Sequence, residues 1–145
     1  MGARILLVDD EPGMLKLLGM IIRDKTPHEA TATNNPLEAL EIVKGGGIDL
    51  VIADLKMPGL DGSELLEAVK RFRQETPVII VTAFGTEEAA AETMEKGAFD
   101  FIMKPFRKEQ IVLTIDRALK WAELQRENAA LKERLGQAGD RPGAP

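Results

Sequence analysis

"IDLVIADLKMPGLDG", residues 48–62, decides how the chain is read. It begins as an apolar run, breaks at one carboxylate, Asp54, and then turns through a proline and glycines. On its own Asp54 reads as a turn or helix-cap residue. The run before it says more, because it is continuous rather than alternating. That suits a strand covered on both faces, as in a parallel sheet. The same form recurs in "ARILLVDD" (3–10) and "PVIIVTAF" (77–84), and in shorter form in "FDFIMKPF" (99–106).

Helical patterns fill the intervals. Pro12 fits a first helical position, and Met14, Leu15, Leu17, Leu18, Ile21 and Ile22 give the helix behind it a broad apolar face. Asn35 with Glu38, and Asp61 with Glu64, have capping-box spacing, and Pro36 again fits a first turn. Thr86 caps "EEAAAETMEKG", whose early acids and closing Lys96 and Gly97 suit the helix dipole and a C-terminal stop. The weakest element, "HEATATN" (28–34), alternates small residues and reads as an edge strand. Gly45, Gly46 and Gly47 read as a plain linker. Strand and helix thus alternate five times, which predicts a three-layer α/β sandwich with a doubly wound parallel sheet.

At 145 residues the chain is long enough for one domain with a buried core, and 44% apolar with 30% charged residues is ordinary globular composition. The absence of cysteine excludes a disulfide framework and a thiolate metal site. No apolar stretch reaches the length of a membrane span, and residues 1–9 lack the apolar core of a signal peptide. The expectation is a cytoplasmic chain with no membrane partner. The net charge of −5 divides into −7 over residues 1–116 and +2 beyond, and an acidic body argues against direct nucleic-acid binding.

The polar residues at the strand ends form a set. Asp9 and Asp10 end the first strand, Asp54 the third, Thr82 the fourth and Lys104 the fifth. In an open α/β sheet the binding crevice lies beyond the carboxyl ends of the strands. Parallel strands therefore bring all of these groups to one edge, and turn chemistry alone does not select that combination. Close carboxylates repel unless a cation joins them, and hard oxygen ligands suit Mg²⁺. One carboxylate can attack phosphorus to give an aspartyl phosphate, with lysine and threonine holding the phosphoryl oxygens.

The ordered motifs "VDDEP", "IADLKMPGLDG", "VTAFG" and "DFIMKPF" resemble the receiver domain of two-component response regulators, over residues 4–119. The resemblance implies a flavodoxin-like sheet of five parallel strands in the order 2-1-3-4-5. It implies that Asp54 is the phosphoacceptor, charged from the phosphohistidine of a sensor histidine kinase. Asp10 and Asp54 are then direct Mg²⁺ ligands, Asp9 holds a metal-bound water, and the Lys56 backbone carbonyl completes the set. Lys104 pairs with the phosphoryl group, Thr82 moves to hydrogen-bond it, and Phe101 is the aromatic switch that turns inward. The Lys104–Pro105 bond is expected to be cis, and Pro58, Gly59 and Gly62 shape the turn beside the acceptor. His28 is expected at an edge, away from the crevice. Met57, Met94 and Met103 are expected to be packing residues, and Arg107 stands where a small capping residue is usual.

A bare receiver ends near Trp121. Here "RALKWAELQRENAALKERLG" prolongs the last helix to about Leu135. The expected organisation is a receiver over 1–120, a coiled-coil extension over 121–136, and a disordered Gly/Pro-rich segment over 137–145. Trp121, Leu124, Asn128, Leu131 and Leu135 step by 3, 4, 3 and 4 residues, the spacing of a coiled coil. Asn128 at an a position favours a parallel homodimer, in which Glu127 faces Lys132 of the partner chain. The same pattern also fits an amphipathic helix folded back on its own domain. The tail resembles that of regulators activating sigma-54 RNA polymerase, of the nitrogen-regulation and dicarboxylate-transport class. In those an AAA+ ATPase and a DNA-binding helix-turn-helix follow. The chain contains neither, so it is either the regulatory portion of a longer protein or a short regulator acting through contacts.

The expected function is a phosphorylation-controlled interaction module that transforms no metabolite. Its switch reshapes the face of the fourth helix, fifth strand and fifth helix, either building an active dimer or dismantling an inhibitory one. Two alternatives stand beside it. A Mg²⁺-dependent aspartyl phosphatase commonly carries a second aspartate two residues after the nucleophile, where this chain has Lys56. A dimerisation scaffold that has lost phosphorylation sits poorly with the intact set of Asp9, Asp10, Asp54, Thr82 and Lys104.

Overall fold

Five parallel strands, β1 (Arg4–Val8), β2 (Glu29–Thr33), β3 (Leu50–Ala53), β4 (Val78–Thr82) and β5 (Asp100–Met103), lie in the order β2-β1-β3-β4-β5. They alternate with α1 (Pro12–Lys25), α2 (Pro36–Lys44), α3 (Gly62–Phe72), α4 (Glu87–Glu95) and α5 (Lys108–Gly139). The computed structural model describes residues 2–139. This is the flavodoxin-like doubly wound sheet that the sequence predicts.

The continuous apolar runs form strands because both faces of the sheet are covered. Leu6, Val8, Val51, Ala53, Val78 and Ile80 pack with Ala39, Val43, Leu65 and Val69 of α2 and α3. Their alternates Ile5, Leu7, Leu50, Ile52, Ile79, Val81 and Ile102 pack with Leu18 and Ile22 of α1 and with Ile111, Ile115 and Ala118 of α5. Each fully buried aliphatic side chain contributes about 1.5–3 kcal/mol relative to exposure. β2 is one of the two edge strands, and its small residues remain largely exposed.

Caps fix where helices start. Asp61 and Glu64 close a complete capping box, with the Glu64 N–H donating to Asp61 Oδ1 at 2.9 Å and the Asp61 N–H to Glu64 Oε1 at 3.3 Å. Asn35 Oδ1 accepts from the Leu37 and Glu38 N–H groups, and Thr86 Oγ1 accepts from the Ala89 N–H. Gly97, at φ 103°, ends the α4 region. α5 begins at Lys108, directly after Arg107.

Two expectations need correction. Met57 is buried, but Met94 and Met103 are 45% and 48% exposed. α4 buries only Thr93, and Met103 lies at the open end of edge strand β5, against Gly85. Secondly, α5 runs to Gly139 rather than stopping near Leu135. Isolated glycines cost a helix about 1 kcal/mol each without ending it, and the first proline comes only at Pro142. The rest of the expected disordered segment, 140–145, lies outside the described residues. The root of the tail also touches the body. Ala122 is buried, the Trp121 ring lies 5.9 Å from the Phe99 ring, and Arg126 pairs with Asp49 at 3.6 Å. Among the described residues no helix is long and apolar enough to cross a membrane.

Candidate phosphoryl-acceptor site

The site stands where β1, β3 and β5 end. Asp9 and Asp54 each follow the last residue of a strand, and their backbone N–H groups donate to Thr33 O and Val8 O, continuing the sheet ladder by one residue. Both side chains are therefore turned into the molecule and almost wholly buried, Asp9 at 3% and Asp54 at 2% exposed. Lys104 follows β5, its N–H bonded to Thr82 O at 2.9 Å, and the Lys104–Pro105 peptide is cis. Its ammonium reaches Asp9 Oδ2 at 3.1 Å, Asp54 Oδ2 at 3.3 Å and Glu11 Oε1 at 3.5 Å. The other oxygens take backbone donors, the Glu11 N–H on Asp9 Oδ1 at 3.0 Å and the Lys56 N–H on Asp54 Oδ1 at 3.3 Å.

Burial pushes the Asp9 carboxyl above its ordinary range, although the Glu11 N–H and the Lys104 ammonium pull the other way, and the charge on Asp54 adds to the rise. Burial alone would lower Lys104, yet Asp9 and Asp54 together hold it above the ordinary lysine value. The two directions are compatible because one ammonium serves several carboxylates. Lys104 stays charged, and burial keeps the Asp9 carboxyl raised even with that ammonium beside it.

Beside Asp54 opens a cavity of about 560 Å³, walled also by Asp10, Glu11, Lys56, Met57, Pro58, Asp61 and Phe84. Its shape depends on Gly62, whose N–H bonds Leu55 O at 2.9 Å. A Cβ at Gly62 would collide with Asp54 O and Leu55 Cα, so α3 starts hard against the backbone at Asp54 and Leu55. Gly59, at φ 90°, adopts the left-handed turn that lets the loop fold back.

The sequence-predicted residues gather here with one rearrangement. The carboxylates whose oxygens converge within 4.8 Å are Asp9, Glu11 and Asp54. Asp10, one step past Asp9, is exposed on the cavity wall and lies outside that cluster. Glu11 went unassigned in the sequence; it is the N-cap residue of α1, and its longer side chain reaches back toward Lys104. The donor set fits a hard divalent cation: oxygen groups stand on one side and open cavity on the other, where further oxygen ligands would have room to complete a coordination shell. Thr82 is fully buried, its Oγ1 accepting from the Phe84 N–H at 3.1 Å. Phe101 is partly buried and packs against the core on the α2 and α3 side of the sheet, as Ala89 of α4 also does.

Two further residues escaped the sequence reading. Phe84 is 59% exposed and overhangs the cavity, signalled only by an aromatic in the loop after Thr82. His28 does more than decorate an edge: its Nδ1 accepts from the Ala3 N–H at 2.9 Å, pinning the start of β1. Of the tail positions, Leu124, Leu131 and Leu135 are 61%, 51% and 67% exposed and Asn128 is exposed, whereas Trp121 turns toward the body.

Residues 5–116 match the family described as the response regulator receiver domain. Transcriptional regulatory protein GlrR of Escherichia coli K12 is 38% identical over 118 residues, which are 81% of this chain and 26% of that protein. The crystal structure of NtrX from Brucella abortus in complex with ADP superposes with a TM-score of 0.83 at 35% identity, covering 90% of this chain and 30% of that one. The solution structure of the beryllofluoride-activated NtrC4 receiver domain dimer gives a TM-score of 0.78 at 28% identity, covering 82% of this chain and 98% of that one. The chain spans about a quarter to a third of the length of the curated relatives it matches.

Proposed function

Because the chain belongs to the response-regulator receiver family, we propose that it is a switch thrown when Asp54 takes a phosphoryl group from the phosphohistidine of a sensor histidine kinase. The observation that carries this reading is the Asp54 carboxylate itself, 2% exposed, held at 3.3 Å by Lys104, and open on one side to a cavity. An oxygen of Asp54 attacks phosphorus, the phosphorus–nitrogen bond breaks, and the histidine leaves with the electron pair of that bond. Asp9, Asp10, Asp54 and the Lys56 carbonyl would hold Mg²⁺, which supplies charge neutralisation to the phosphoryl oxygens.

The chain's own residues do the rest. The Lys104 ammonium exchanges a carboxylate partner for a phosphoryl oxygen, at no cost in burial since it is already desolvated. Thr82 turns its hydroxyl to the same group, releasing the Phe84 N–H, and Phe101 moves into the space behind it. The output is a changed pairing of the tail, through Leu124, Asn128, Leu131 and Leu135 with Trp121 at its root, in a cytoplasmic homodimer. We propose further that this chain is the regulatory portion of a sigma-54 activator, joined to an AAA+ ATPase and a DNA-binding domain. The transcriptional regulators it resembles, and the share of them it spans, support that placement.

The test is intact mass after incubation with Mg²⁺ and acetyl phosphate, with Asp54→Asn alongside and sizing chromatography on the same samples. One added phosphoryl group, absent in the variant and accompanied by a change in size, is the expected result. No adduct, no response to beryllofluoride and one unvarying dimer would instead establish a scaffold. Steady turnover of a simple phosphate ester would establish the phosphatase.

A further inference from the structure

Trp121 is claimed by two partners. Its spacing assigns it to the a position that opens the tail seam. The structure sets its ring 5.9 Å from Phe99 in a tilted pair and 5.1 Å beneath the Lys70 ammonium. At 3.6 residues per turn, Trp121 lies about 90° around α5 from the buried line of Ile111, Ile115, Ala118 and Ala122, and about 50° from the line of Leu124, Asn128, Leu131 and Leu135. The indole therefore stands on the border between the face that packs on the body and the face left open, and one side chain cannot fill both positions.

We propose that the Trp121 indole is a latch shared between the body and the tail seam, so that pairing of two tails competes with its contact on Phe99 and Lys70. The inference rests on the dimer reading given above. The occupant of the seam is a second copy of this chain, since the exposed leucines and Asn128 repeat at heptad spacing and Glu127 and Lys132 are complementary across it. Phe99 leads directly into β5, whose far end carries Lys104. Release of the latch thus loosens the entry of the same strand that delivers the phosphoryl-binding lysine.

Trp121 is the only tryptophan and there is no tyrosine, so its emission reports this one contact. Emission and sedimentation equilibrium are measured on the 145-residue chain across a concentration series. The same series is run on Phe99→Leu, Lys70→Gln and, as a seam control, Leu131→Glu. The emission shift is expected to follow the dimer fraction. Phe99→Leu is expected to tighten the dimer on the order of tenfold, because two chains each surrender one aromatic pair, and Lys70→Gln somewhat less. Leu131→Glu is expected to stay monomeric with the body-bound emission. A dimer in the wild type with flat emission, and with unchanged affinity in both latch variants, overturns the latch and leaves the dimer reading standing. A dimer that survives Leu131→Glu removes pairing through the tail seam, no dimer from any of these proteins removes the dimer reading, and either result removes the latch.

Discussion

Replacing Lys104 by methionine keeps most of the stem and removes the ammonium that sits 3.1 Å from Asp9 Oδ2 and 3.3 Å from Asp54 Oδ2. Taking away one partner of a buried pair costs about 3–5 kcal/mol. The cavity beside Asp54 admits water to one side, so the expected loss is nearer 2–3 kcal/mol. Urea unfolding followed by circular dichroism, in chelator near pH ~7, should show a midpoint lower by about 1.5–2 M, given a slope of about 1.5 kcal/mol/M. The pH dependence follows from Asp9, whose carboxyl is already raised by burial and rises further without the ammonium. A raised carboxyl penalises the folded state above its folded pKa, and the penalty fades as pH falls through that value. The variant's deficit should therefore shrink toward about pH 4. On the alkaline side Lys104 stabilises the wild type below its ordinary value, and this is lost only as pH climbs through its raised one, so the two proteins converge there too. Millimolar Mg²⁺ should recover part of the neutral-pH deficit by binding the folded state alone. A deficit under about 0.5 kcal/mol in chelator at neutral pH, or one that does not change with pH, refutes the charge-sharing description of the site.

Gly62→Ala should cost about 2–4 kcal/mol, because its methyl meets Asp54 O and Leu55 Cα; an unshifted urea midpoint would show that α3 can retreat freely. Asp61→Ala opens the capping box and should cost about 1 kcal/mol, read as a fall of about 4 °C in Tm, whereas an unchanged Tm would mean that water replaces the cap fully. Arg126→Ala removes only an exposed pair with Asp49 and should change stability by less than about 0.5 kcal/mol; a larger loss would reveal that the tail's root depends on that ion pair.

The strand core was legible because Leu6 and Leu7, or Ile79 and Ile80, need opposite faces buried at once, and only a sandwiched sheet provides that. The caps at Asp61 and Thr86 were legible because capping is local chemistry at fixed spacing. Asp54, Asp9 and Lys104 were legible as a set because parallel strands deliver their ends to one edge. What depends on direction or distance was not. Spacing cannot say that Asp10 faces the cavity wall while Glu11 reaches Lys104. Nor can it say that Trp121 leans toward Phe99, since its partner is twenty-two residues away in sequence and brought close only by the sheet. Met94 and Met103 misled because an apolar side chain on an underpacked helix or a strand end has no core to enter.

The Lys104 ammonium joins residues 95 and 50 positions earlier in the chain. The triangle it makes with Asp9 and Asp54 exists only when the first, third and last strands have all docked in register. A nascent or partly unfolded chain that still lacks β5 exposes an ordinary aspartate, with no ammonium to receive the incoming charge. On the function proposed above, competence to be phosphorylated would certify completed folding, because the final strand supplies Lys104. A kinase acting on Asp54 as proposed would count only finished molecules, and the signal would be protected from the noise of incomplete ones without any separate inspection step.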